Sequence, residues 1–169
     1  GMATESLSQY EELITLPCYE WQHMLVLPTG HPMLDKERLG LADLASLPLI
    51  TDHPSFTGRT RIDTAFAARD LTPNIVLEAI DSDVIKTYVK LGMGAGIVAE
   101  MAVQNDNRDP DLAARPLGHL LGMNVARVAF KRGAYLRNYV LKFAELLSDR
   151  LSKDLILKAM EGHGDSYQL

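Results

Sequence analysis

The chain has 169 residues, 47% hydrophobic and 23% charged, with a net charge of −5 and a single cysteine. That length suits one domain or two small connected lobes, and the acidic balance speaks against a general nucleic-acid surface, which needs clustered Lys and Arg. One cysteine excludes a disulfide framework and a thiol-built metal site, no stretch approaches a membrane span, and no signal peptide is evident, so the expected address is the cytoplasm.

The rhythm is strand, helix, strand, helix, which predicts an α/β fold with a largely parallel sheet. An apolar run over 13–21 is broken at Pro17, and 23–32 gives a short buried strand ending in a Pro/Thr/Gly/Pro turn. A short helix over 40–48 stops at Pro48, and 49–51 is the next strand. A helix over about 58–69 buries Ile62, Ala65 and Phe66 at helical spacing. Residues 74–80 form a strand. Asp81, Ser82 and Asp83 then supply capping residues for a helix that ends at Gly92. Residues 95–103 read as a buried strand with a helical turn behind it, 105–111 as a polar loop, and 123–130 as a further strand. From about 135 a helix places Leu136, Tyr139, Val140, Phe143 and Leu147 on one face, a second short helix spans about 152–161, and the last eight residues fray.

Charge is uneven along this order. Residues 1–130 hold 10 basic and 17 acidic side chains, whereas 131–161 hold 7 and 4. A solvated helix face explains the basic end better than a DNA contact.

The glycines of LGMGAG (91–96) end a helix and lead into a strand, which is the reverse of a dinucleotide-binding turn. Gly92 is a C-cap there, while Gly94 and Gly96 permit close backbone approach. The histidines at 23, 31, 53, 119 and 163 lack metal-ligand spacing and read as surface or hinge residues. Cys18 reads as a buried, inert thiol. Asp52 and Asp63 stand near hydroxyls, but no nucleophile–base pair accompanies them, so no catalytic residue is assigned.

PSFTGRTRIDTAF (54–66) crowds Ser55, Thr57, Gly58, Arg59 and Thr60 at a helix entrance. Capping by Ser55 or Thr57 needs one hydroxyl only. The surplus, with a glycine that admits a ligand to the backbone, equally suits an anion held by first-turn amides and the helix dipole. Arg59 either adds charge or points to solvent.

Other segments weigh on that choice. LVLPTGHPML (25–34), LADLASLPLIT (41–51) and DVIKTYVKLGMGAGIVAEMAV (83–103) resemble the effector-binding domain of LysR-type transcriptional regulators. ATESL, LPCYEW, FTGRTRIDTAF, LTPNIV and RGAYLRNYV resemble the CysB/Cbl-like branch, the regulators of sulfur assimilation, over about residues 1–161. The resemblance implies a two-lobed fold like type II periplasmic binding proteins, one lobe nearly complete and the other partial. Residues 1–21 would be part of lobe I with the first crossover, 22–122 lobe II, 123–147 the return into lobe I, and 148–169 a helical tail. It implies no enzyme activity and no cofactor, and an anionic or zwitterionic effector such as sulfate, thiosulfate or acetylserine.

The matching pocket positions are Thr4, Trp21 and Thr57, to which the capping argument adds Ser55, Gly58 and Arg59. A homodimer or homotetramer is implied, with DNA contacted only through a helix-turn-helix that this stretch does not contain. If the first half of the effector domain is missing too, the apolar stretches 13–19 and 124–130 are left uncovered and drive association. The rival readings are a solute-binding protein of similar fold and a small α/β enzyme.

Overall fold

The computed structural model describes residues 1–3, 10–104 and 108–163. They divide into two compact units, Gly1–Trp21 with Asn124–Leu169, and Gln22–Met123.

In the first unit, β1 (Met2–Ala3) pairs antiparallel with β7 (Met123–Lys131), and β7 lies beside the first half of β2 (Leu13–Pro28). Strand β2 is 16 residues long, so Pro17 does not break it. Ile14, Leu16 and Cys18 are buried in strict alternation across the proline. The period-2 burial of these apolar side chains overrides the local break.

Helices α5 (Asn138–Leu147) and α6 (Lys153–Lys158) complete a core in which Ile14, Leu16, Val128 and Phe130 meet Leu141, Ala144, Leu151 and Ile156. The strands' apolar faces are therefore covered within the unit, against the expectation that 13–19 and 124–130 stand open. From the C-terminal helical stretch, Leu151, Ile156 and Ala159 are buried in this core. Helix α5 follows its pattern in part: Leu136 and Val140 pack against this core, but Tyr139 and Phe143 are 66% and 63% exposed, while Leu141 and Ala144 are buried.

The second unit is a sheet ordered β6–β2–β5–β3–β4, using the second half of β2. Strand β3 (Pro48–Asp52) is parallel to β4 (Asn74–Ala79) and β5 (Ala95–Ala99), whereas β2 is antiparallel to β5 and to β6 (Leu112–Pro116). The sheet is mixed, not largely parallel. Strand β6, helix α4 (Gly118–Leu121) and β1 carry too short a pattern to be legible beforehand. Residues 105–107 of the expected polar loop lie outside the described residues.

Strand alternation builds two cores. Leu25, Leu27, Leu49 and Ile97 face α1 (Leu41–Ala45) and α2 (Thr57–Ala67), where Leu44, Ile62 and Phe66 are buried. Val26, Ile50 and Val98 face the other way, onto Ile85 and Val89 of α3 (Ser82–Lys90). Each of these fully buried side chains contributes about 1.5–3 kcal/mol. Gly94 and Gly96 serve as expected: a Cβ would stand 2.6 Å from the Pro48 carbonyl oxygen and 2.7 Å from Ile85 Cγ2, respectively. Gly92, at φ 75°, closes α3.

Candidate anion-binding site

Strand β3 delivers the chain to the start of α2 from the middle of the sheet. After Asp52 the chain turns through His53–Phe56, where the His53 amide donates to the Ala79 carbonyl oxygen (3.0 Å) and the Phe56 amide to that of His53 (3.0 Å). Ser55 does not cap the helix. Its hydroxyl meets His53 Nδ1 at 2.9 Å, and its amide donates to the same nitrogen at 3.2 Å. The N-cap is Phe56, in extended backbone (φ −93°, ψ 137°), with no side-chain cap bond and no acidic residue in the first turn. The capping role predicted for Ser55 or Thr57 is thus corrected: the N-cap carries no hydroxyl at all. Thr57 begins the helix as an exposed residue.

Gly58 follows, and a Cβ there would stand 3.0 Å from His23 Nε2 and 3.8 Å from Asp52 Oδ2. The glycine admits the His23 ring from below the turn. His23 itself is 1% exposed, so it is not a surface residue; it stands just past the Trp21–Gln22 boundary between the two units. Burial, with the positive charge of Arg61 added, pulls its pKa down to about 4. Burial raises the Asp52 carboxyl pKa above its ordinary value. The parity of HMLVL held the clue, because His23 falls in step with Leu25 and Leu27 on the buried face.

Arg59 neither points to solvent nor adds free charge. Its guanidinium is buried and donates to Glu78 (2.6 Å), Asp63 (2.9 Å), Thr51 Oγ1 (3.1 Å) and the Asp52 carbonyl oxygen (3.2 Å). Burial works against that charge, but the bonds to Glu78 and Asp63 outweigh it and hold the guanidinium's pKa up. Asp63 is occupied by this ion pair.

Ser55, Thr57, Gly58 and Arg59 are therefore one continuous feature of the second unit. Trp21 is the last residue of the first unit, half-buried in β2. Thr4 lies outside the described residues. Cys18 is buried among Leu16 and Val128, and that burial raises its thiol pKa.

In open α/β sheets ligands gather where strands end and helices begin, and an uncapped helix start receives anions through amides and dipole. Fold and helix start together mark this turn of the α/β unit as the candidate site. The family model described as "LysR substrate binding domain" matches residues 2–152, and the chain belongs to that family.

It is 54% identical over 169 residues to the HTH-type transcriptional regulator CysB of Burkholderia cenocepacia, covering 100% of this chain and 54% of that protein. It is 44% identical over 153 residues to the HTH-type transcriptional regulator SsuR of the same organism, covering 90% and 49%. The chain thus spans about half the length of these curated relatives. The crystal structure of the cofactor-binding domain of the Cbl transcriptional regulator aligns with a TM-score of 0.84 at 42% identity, covering 96% of this chain and 71% of that one. The fold is accordingly the two-lobed, periplasmic-binding-protein-like α/β fold of LysR effector-binding domains. The relatives are named as regulators and not as enzymes. No helix among the described residues is long and apolar enough to cross a membrane.

Proposed function

We propose that the chain is the part of a CysB/Cbl/SsuR-type regulator that senses a small sulfur-related effector, and that the start of α2 is where the anionic part of that effector is held. The observation that carries the reading is a helix start with no side-chain cap, no first-turn acid and an exposed threonine at its first position. Thr57 donates its hydroxyl, and the first-turn amides of Thr57 and Gly58, with the dipole and the Ser55 turn before them, supply the rest. Trp21 and Thr4 are proposed as further effector contacts on their match to the branch. Arg59 is proposed as support for the turn, because its Nε and Nη1 donors are already committed to Asp63, Thr51, Asp52 and Glu78.

Sulfate, thiosulfate and acetylserine share the anionic oxygens such a turn selects. Effector binding with different affinity for two arrangements of a homodimer or homotetramer would shift how a helix-turn-helix elsewhere in the regulator meets DNA. A cytoplasmic location belongs to the same reading. Calorimetry tests it: the chain binds sulfate or thiosulfate, and Thr57→Ala loses on the order of 1.5–3 kcal/mol of that affinity. Equal binding by parent and variant, or none by either, removes the assignment.

A further inference from the structure

Two residues far apart in sequence meet beneath the first turn of α2. His23 stands on β2, where it pairs with Ala99 of β5, and its carbonyl oxygen accepts the Leu117 amide at 2.9 Å. Its ring is enclosed and reaches the underside of Gly58. The place a Cβ would take is 3.0 Å from Nε2 and 3.7 Å from Cε1, and Asp52 Oδ2 borders the same place. Any side chain at 58 would press on a ring that a central strand holds fixed. Packed interiors transmit such strain instead of absorbing it. The compliant partner is the helix start, which no side chain caps.

We infer that His23 is a positioning residue for the anion site: its ring, seated against the Cα of Gly58, sets the height of the first turn of α2 and so the aim of its amides. The inference rests on the reading that this turn holds the anion. With its pKa near 4 the ring is uncharged at neutral pH. The pairing also explains why glycine follows Thr57: a small residue is needed for the imidazole below, independently of any ligand above.

Sulfate titrations of this chain and five variants, with thermal midpoints measured alongside, test the pair. Gly58→Ala weakens sulfate binding about tenfold, and adding His23→Ala to it recovers most of that loss, because the two substitutions relieve one contact. His23→Gln, which keeps a polar side chain of similar reach, stays within about threefold of the parent and covers the case in which His23→Ala does not fold. Parent affinity is flat between pH 6.5 and 8, because the ring stays uncharged across that range. Thr57→Ala separates the two readings. If the parent binds no sulfate, or Thr57→Ala binds as the parent does, the site assignment falls and this inference falls with it. If Thr57→Ala weakens binding but Gly58→Ala does not, or the losses at 58 and 23 simply add, the site stands and the role of His23 is overturned.

Discussion

Helices α2 and α3 leave the same sheet from the ends of neighbouring parallel strands, yet their starts are built oppositely. At α3 the Asp81 carboxylate accepts the Asp83 amide at 2.6 Å, and Asp83 adds a second acid in the first turn. Its own carboxylates occupy the place an anion would take. At α2 the N-cap is a phenylalanine, no acid stands in the first turn, and buried groups hold the turn from beneath. The contrast teaches that composition near a helix start is a poor guide to its use. What matters is whether a side chain of the chain itself satisfies the amides.

The sharpest way to break the contrast is to remove what holds α2 in place. Arg59→Leu strands Glu78 and empties the bonds to Thr51 and Asp52. It should lower stability by about 3 kcal/mol, somewhat less if the half-exposed carboxylates rehydrate freely. Urea unfolding measures this, and a loss below about 0.5 kcal/mol would show that Arg59 is dispensable to the turn.

Next in size is a pH effect centred on His23. Its ordinary pKa of 6.5 falls to about 4 in the folded chain, so between those values the unfolded state binds more protons. Its contribution is complete above pH 6.5 and is lost as pH falls toward 4, up to about 3 kcal/mol in all. Asp52, raised by burial, works in the opposite sense, so the His23 share is read as the difference between the parent and His23→Gln. Parallel stability profiles for the two would contradict the buried, neutral imidazole.

The smallest effect sharpens the comparison by exchange. Phe56→Asp gives α2 a carboxylate cap like that of α3 and should raise stability by about 1 kcal/mol while weakening sulfate binding several-fold. Asp81→Ala should cost about 1 kcal/mol at α3. Undiminished sulfate binding by Phe56→Asp would mean the anion sits elsewhere.

Much of this fold is legible from residue order, because helix α3 announces itself by Asp81 and Gly92, and α1 by Pro48. Strand β2 is not, since Pro17 suggests a break that alternating burial overrides. Helix α5 is legible only in part: Leu136 and Val140 pack as their spacing suggests, but Tyr139 and Phe143 are exposed, and Leu141 and Ala144 lie on the side the strands of the first unit cover. At the proposed site, the cluster of hydroxyls points to the β3–α2 turn, and the resemblance points to Thr57 within it. The partners of Ser55 and Arg59 are not legible, because His53 and Glu78 are set by the fold of the β3–α2 turn and the register of β4. His23 is legible only through its parity with Leu25 and Leu27, because a histidine by itself suggests the surface.

The central claim is that the start of α2, and not that of α3, receives the effector's anion. Titrating the isotopically labelled chain with sulfate while following backbone amide resonances tests it directly. The account predicts that shifts concentrate at Thr57, Gly58 and Arg59 and saturate with one affinity, while Ser82–Val84 stay still. Shifts absent from 57–59, or matched at 82–84, would contradict it.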